Sequence, residues 1–281
     1  MGRRTVLLLL AGVVGSALAG GEAVGRSERI DGEARRLIAA LTRLWPDVSC
    51  RLDEPGPAPL PPGSLLARAV RGGSADRLEV AIAARVAAAW RRCLGDALPA
   101  PPTFEDAEPP APEAWVKKAL PGLVAREAGF LARALEASGA SDSRRLAARA
   151  AAARFRRVAM LSPAAIARRR LAERQQGLAL YTAYHALLRA RHESPAAGGG
   201  DFAYTLAPAL RSVLLEALEQ AAGGESAAFT PEVAGFAQAL VLDRVRHGWR
   251  EELHDAWRSL DQLLVQPVRP FGDRGAAPAA R

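Results

Sequence analysis

Apolar residues recur at intervals of three and four along much of the chain, which is the spacing of one face of an α-helix. Residues 27–44 show this pattern, and Trp45-Pro46 ends it. A second helix is predicted over residues 75–94, with Ser74 or Asp76 as its cap. A short strand over residues 78–82 is the alternative for its first turns. The apolar face of this helix consists of Leu78, Ile82, Val86 and Trp90.

Prolines and glycines divide the rest of the chain into further helices. The stretch 99–112 is rich in proline and acidic residues, which is typical of a linker or an ordered surface loop. Ser162-Pro163 and Thr230-Pro231 are helix starts, because proline suits the first turn of a helix and a preceding hydroxyl can cap it. The predicted helices are 113–137, 142–160, 163–192, 204–221, 230–246 and 249–264.

The pattern therefore predicts a mainly α protein with one principal helical domain and an N-terminal helical extension. The predicted regions are a signal peptide (1–19), an N-terminal helical region (20–98), the Pro-rich linker or loop (99–112), the helical domain (113–266) and a flexible tail (267–281).

The first residues have the organisation of an export signal. Arg3 and Arg4 precede an apolar run over residues 5–14, and the small residues Ala17 and Ala19 suit signal peptidase. The run is too short to span a bilayer, and no later stretch approaches the length of a membrane helix. We therefore expect cleavage after Ala19 and a secreted or periplasmic protein without a stable membrane span.

Basic residues outnumber acidic residues by 38 to 30, a formal net charge of +8. Loss of Arg3 and Arg4 with the signal would leave 36 basic and 30 acidic residues, or +6. A basic total favours acidic partners in general. The arginines, however, lie in helices where acids alternate with them, and exported proteins rarely meet nucleic acid. Nucleic-acid binding is therefore not expected.

The two cysteines, Cys50 and Cys93, flank a segment that contains a proline-rich stretch. Outside the cytoplasm they could form a disulfide, which would stabilise the fold by roughly 3–4 kcal/mol in the chain-entropy model. The alternative is that each is buried separately as a small apolar residue. Neither has a neighbouring Cys or His with the spacing of a metal site.

Glu127 lies on the apolar face of its predicted helix. An isolated buried carboxylate is costly, so Glu127 must be partnered, protonated or open to a cavity. It either forms an ion pair with an arginine of a neighbouring helix or lines a cleft. The apolar residues three, four or seven positions away are Leu120, Leu123, Val124, Phe130, Leu131 and Ala134.

The segment Leu123-Val-Ala-Arg-Glu-Ala-Gly-Phe130 resembles the HExxH helix of gluzincin-type zinc metallopeptidases. In that family the two histidines bind zinc and the glutamate polarises the metal-bound water. A second segment, Gln176-Gly-Leu-Ala-Leu-Tyr181, is similar to the EGLAxY pattern that supplies the third ligand in such families. A third, Phe236 to Leu253 followed by Ser259-Leu-Asp-Gln-Leu-Leu264, is similar to the helix, GW turn and SLDxLL ending of some bacterial HExxH proteins.

The resemblance implies a zinc site whose ligands have been replaced. Glu127 matches the general base, whereas Arg126, Phe130 and Gln176 stand at the three ligand positions. A permanently charged guanidinium repels zinc, a phenyl ring has no donor atom, and a neutral amide is a poor ligand. We therefore predict no cofactor and no confident catalytic residue.

The four histidines do not suggest another metal site. His185 and His192 are seven residues apart, as are His247 and His254, whereas helical ligand pairs usually lie three or four apart. We interpret them as core or surface residues.

Three hypotheses follow from the sequence. The first is an exported, non-catalytic protein with a peptidase-like scaffold and a binding or regulatory role, with a peptide or protein as its partner. The second is an active metallopeptidase with atypical ligands. The third is a helical interaction module unrelated to peptidases.

Overall fold

A computed structural model describes residues 27–41, 45, 50, 63–71, 77–97, 114–193, 205–254 and 259–265. These residues confirm the mainly α fold: they form helices joined by short turns, and no strand occurs among them. No helix in these ranges has both the length and the apolar character needed to cross a bilayer. The predicted signal, the caps Ser74 and Asp76, the 99–112 linker and the 267–281 tail lie outside the described residues.

The chain divides into two compact units. One comprises residues 1–97 and 179–213, and the other comprises residues 98–178 and 214–281. Residues 179–213 are thus grouped with the N-terminal part of the chain, although the sequence assigns them to the 113–266 domain.

The first unit contains helices α1 (27–41), α2 (Leu65–Arg71), α3 (Arg77–Ala97) and most of α7 (Leu178–Glu193). Helix α8 (Leu206–Ala222) begins in this unit. The Glu79 carboxylate accepts hydrogen bonds from the Thr205 and Leu206 amides at 3.2 and 2.8 Å, which satisfies free N–H groups at the start of α8.

A disulfide joins Cys50 and Cys93, whose Cα atoms are 5.5 Å apart. The structure thus selects the disulfide over two separately buried thiols. The cross-link ties Cys50 to the last turns of α3. The rings of Trp45 and Trp90 in the same unit are buried, with centroids 6.3 Å apart.

The second unit contains α4 (Ala114–Glu136), α5 (Ala140–Val158), α6 (Pro163–Ala172), a π-helical segment (Glu173–Gly177), α9 (Pro231–Val245), α10 (Trp249–His254) and α11 (Leu260–Val265). A short 3₁₀ turn, Ser226–Ala228, precedes α9. Helix α4 packs chiefly on α5, while α9 packs on the π-helical segment and on α4 and α5.

The predicted helix starts at Ser162-Pro163 and Thr230-Pro231 are confirmed. The Ser162 hydroxyl accepts a hydrogen bond from the Ala165 amide, and the Thr230 hydroxyl accepts one from the Val233 amide, both at 3.2 Å. Each cap satisfies one of the free N–H groups that every helix start presents.

Three predictions about individual elements need correction. Helix α2 has no predicted counterpart, and residues 78–82 are helical, so the strand alternative is wrong. The predicted helix 249–264 is interrupted, because Ser259, which directly precedes α11, is not helical. The long helix 163–192 contains a wider π turn at Glu173–Gly177.

The π-helical segment crosses α9 at two glycines. A Cβ on Gly177 would lie 2.5 Å from the carbonyl carbon of Gly235 and 2.6 Å from the Phe236 amide nitrogen. A Cβ on Gly235 would collide with the carbonyl group of Glu173. The two backbones are therefore in direct contact, and only glycine fits at either position.

We expect Gly235→Ala to destabilise the second unit by about 2–3 kcal/mol, because the clash is with backbone that cannot rotate away. Gly122→Ala is the matched control, since a Cβ at this exposed position of α4 meets nothing within 4 Å. The control should be neutral or stabilising by up to about 1 kcal/mol. Urea unfolding followed by circular dichroism measures both changes, and equal effects would contradict the close crossing.

Candidate functional site: a buried arginine cluster

Glu127 lies on the inner face of α4, with 1% of its side chain exposed. Both of its carboxylate oxygens are bound by arginines of α5. Arg154 Nη1 donates to Oε1 at 3.2 Å, and Arg157 Nε donates to Oε2 at 2.9 Å. The ion pair with a neighbouring helix, one of the two alternatives for Glu127, is therefore confirmed, and the residue does not line an open cleft.

Arg154 binds three carboxylates that come from distant parts of the chain. Besides Glu127, its two Nη atoms donate to the two oxygens of Glu173 in the π-helical segment, one of them at 2.9 Å. Its Nε lies 3.1 Å from Oδ2 of Asp261 in α11. The guanidinium is thus surrounded by acids although only 2% of its side chain is exposed.

Two further arginines close the cluster from its more exposed side. Arg169 Nε donates to Glu173 Oε1 at 2.9 Å, and its Nη2 donates to the Phe229 carbonyl at 3.3 Å. Arg170 Nη2 donates to Asp261 Oδ2 at 2.9 Å. Four arginines thus face three carboxylates. We call this set the arginine cluster: Arg154, Arg157, Arg169, Arg170, Glu127, Glu173 and Asp261.

Neighbouring opposite charges stabilise the ionised forms of Arg154 and Asp261. Burial alone would lower the pKa of Arg154, but Glu173, Glu127 and Asp261 together raise it well above its ordinary value. Burial likewise opposes the charge of Asp261, yet Arg154 and Arg170 lower the pKa of this carboxyl to about 2. Arg154 and Asp261 are therefore fixed charges at neutral pH and do not exchange protons there.

This arrangement limits the chemistry available to Glu127. A general base must reach a water or substrate proton within hydrogen-bond distance and have a pKa near the working pH. Glu127 is enclosed, and each oxygen already accepts a charge-assisted hydrogen bond. In this structure it acts as the structural counterion of Arg154 and Arg157.

The three residues that the resemblance places at ligand positions do not join the cluster. Arg126 is exposed on the outside of α4. Phe130 is half-buried, and the guanidinium of Arg133 stacks over its ring at 4.7 Å from the centroid. Gln176 lies half-buried within the π-helical segment.

The described residues contain no group of three or more His, Cys, Asp or Glu side chains arranged to hold a metal ion. Among the histidines, His185 is half-buried against the rings of Tyr181 and Tyr184, while His192 and His247 are exposed. The side chain of His254 lies outside the described residues.

Two of the three stretches singled out in the sequence supply a partner of Arg154, and the third partner lies just before the remaining stretch. Glu127 comes from the first, Glu173 lies three residues before the second, and Asp261 belongs to the third. The GW turn of the third stretch is also built locally: Trp249 Nε1 donates to Asp243 Oδ1 at 3.0 Å, and Gly248 has a φ of 72°.

Sequence reasoning missed Arg154, Glu173 and Asp261. A signal for Arg154 was present, because it continues the apolar face of α5 formed by Ala147, Ala150 and Ala151. An arginine on a buried stripe requires acidic partners in the same way that Glu127 requires basic ones. Nothing in the sequence identified which of the 30 acids these would be.

With this geometry in hand, we compared the chain with known proteins. No protein-family model, curated protein or solved structure matches it.

We expect Glu127→Gln to destabilise the fold by about 3–5 kcal/mol. The substitution removes the negative charge that pairs with the buried guanidinium groups of Arg154 and Arg157. Glu136→Gln, at the exposed end of the same helix, is the control and should change stability by less than about 0.5 kcal/mol. Urea-unfolding midpoints provide the measurement. Similar values for both variants would show that the buried pairing contributes nothing.

Asp261 should contribute a pH-dependent part of the stability. Its pKa is lower in the folded state, about 2 against an ordinary 3.8, so the unfolded chain binds more protons between these values. Stability from this group is therefore complete above about pH 4 and is lost as the pH falls toward 2. The loss amounts to about 2 kcal/mol.

In Asp261→Asn this loss should disappear, so the wild-type and variant unfolding midpoints should converge on going from pH 4 to pH 2. Asp142→Asn, which removes an exposed partner of Arg145, should leave the pH dependence nearly unchanged. A constant difference between wild type and Asp261→Asn over this range would show that Asp261 is not held ionised in the folded state.

Proposed function

We propose that this chain is an exported, non-catalytic helical protein with a binding or regulatory role toward a peptide or protein. In this proposal its scaffold is peptidase-like, and the arginine cluster stands where a metal centre would have been. The observation that carries the proposal is the enclosure of Glu127, whose two oxygens bind Arg154 and Arg157.

Two features support export. The N-terminal residues have the charge and apolar pattern of a signal peptide. The Cys50–Cys93 disulfide is of a kind that persists in oxidising compartments and is rare in the cytosol.

A second candidate is a helical interaction module with no relation to peptidases. The exposure of Arg126 favours it, because the first histidine of an HExxH helix faces the same metal as the glutamate next to it. The buried Glu127 and exposed Arg126 lie on different sides of α4.

The test is metal content and proteolysis of the purified chain lacking residues 1–19. We expect less than about 0.1 zinc per chain and no cleavage of casein above a blank, because Glu127 cannot activate water and no zinc ligand set faces it. Stoichiometric zinc that is lost in Glu127→Gln or His185→Ala would instead establish the active metallopeptidase.

A restored variant separates the two non-catalytic candidates. Arg126→His, Phe130→His and Gln176→Glu together rebuild the ligand set of the HExxH pattern. If the scaffold is peptidase-like, this variant should bind about one zinc per chain, with a change in thermal unfolding on chelation. Absence of binding by a folded variant favours the unrelated module. Zinc bound equally by the single Gln176→Glu variant would show that the three positions do not act together.

A further inference from the structure

The chain contains a long stretch without any acidic residue. Between Asp142 and Glu173 there are nine arginines and no aspartate or glutamate. This stretch covers most of α5, the turn after it and all of α6. The nine are Arg144, Arg145, Arg149, Arg154, Arg156, Arg157, Arg168, Arg169 and Arg170.

Six of these arginines have internal partners. Arg154, Arg157, Arg169 and Arg170 belong to the arginine cluster, Arg145 pairs with Asp142, and Arg144 donates to the Val245 carbonyl at 3.4 Å.

The other three, Arg149, Arg156 and Arg168, are exposed and form no ion pair within the part of the chain that the structure describes. Arg149 and Arg156 are seven residues apart, two helical turns, so they project from the same side of α5. No acid of the described ranges forms an ion pair with either of them.

An exposed aromatic residue, Phe155, directly precedes Arg156 in α5. Phe155 is 43% exposed, and few large apolar residues of the described chain are as open to solvent. The turn that follows presents exposed Ala159 and Pro163 and half-buried Met160. We call Arg149, Phe155, Arg156 and this turn (159–163) the basic apolar surface.

The apolar part of this surface lies at the end of α5 and in the turn that follows it. The opposite side of α5 is already packed, because Ala147, Ala150 and Ala151 are buried. The helix is therefore not available to insert as a whole into another protein or into a membrane. The exposed side of α5 and its following turn present an aromatic ring and small apolar groups flanked by guanidinium groups. This combination suits a layer that has negative charge at its surface and hydrocarbon beneath it.

We propose that the basic apolar surface binds the face of an anionic phospholipid bilayer. The guanidinium groups of Arg149 and Arg156 bind phosphodiester oxygens of the head groups, and Phe155 lies among the upper parts of the acyl chains. This partner is a lipid surface, so the inference goes beyond the proposed role toward a peptide or protein; it rests only on the proposed export and does not require a peptidase-like scaffold.

The experiment is co-sedimentation of the chain lacking residues 1–19 with sucrose-loaded vesicles. One set contains equal parts of phosphatidylglycerol and phosphatidylcholine, and the other contains phosphatidylcholine alone. We expect binding to the first set only, weakened by raising NaCl from about 0.05 to about 0.5 M because salt screens the attraction. Removal of residues 1–19 keeps the apolar N-terminal run from binding the vesicles itself.

Variants test which residues are responsible. Arg149→Gln with Arg156→Gln should lower the partition coefficient roughly 25-fold, at about fivefold for each charge, and Phe155→Ser should lower it about tenfold. The control pair Arg91→Gln with Arg191→Gln removes the same charge from exposed positions of the other unit. It should change binding less than about twofold if the surface is specific.

Three outcomes would overturn the proposal. The first is equal binding to anionic and neutral vesicles, and the second is an equal loss of binding in the Arg149/Arg156 variant and the Arg91/Arg191 control. The third is a loss of binding in the Arg149/Arg156 variant while Phe155→Ser binds as the wild type does. If the chain shows no preference for anionic vesicles but binds polyglutamate through Arg149 and Arg156, the surface binds an acidic polypeptide instead. None of these results bears on zinc or proteolysis, so this proposal and the proposed lack of catalysis can fail separately.

Discussion

The requirement that most constrains the second unit is charge compensation around the buried Arg154. A guanidinium cannot lose its proton at physiological pH, so its burial must be compensated by acids brought to it. Glu127, Glu173 and Asp261 do this from α4, the π-helical segment and α11. Three elements that share little sequence pattern are thereby fixed against the same side chain of α5.

Glu173 shows how the backbone and side-chain constraints are combined. Its carboxylate binds Arg154 and Arg169, while its carbonyl group lies against Gly235 of α9. The π turn widens the helix at this point, and the missing Cβ of Gly235 lets the two backbones touch. A shift of register between the π-helical segment and α9 would therefore break the packing and the ion pairs together. This coupling favours one register between the π-helical segment and α9 over other registers that would bury a similar apolar area.

Local signals explain what could be predicted from the sequence. The hydroxyl caps before Pro163 and Pro231 and the apolar spacing of α4 depend on neighbouring residues, so their positions follow from pattern alone. The pairing of Glu127 with an arginine also followed from its place on a buried face. The identities of its partners did not, since they depend on tertiary packing. The π turn was missed for the same reason: its residues have ordinary helical composition, and contact with α9 accompanies the change of pitch.

The placement of Asp261 in α11 has a consequence for the order in which this unit can be completed. The α4–α5 pair is local in sequence and unites Glu127 with Arg154 over 27 residues, whereas Arg170 and Asp261 are 91 residues apart. Until α11 arrives, α5 and α6 carry a surplus of positive charge that the nearer acids do not neutralise. A chain that leaves a ribosome from its N-terminus thus presents Asp261 long after α5 and α6. All three carboxylates can surround Arg154 only after residue 261 has emerged.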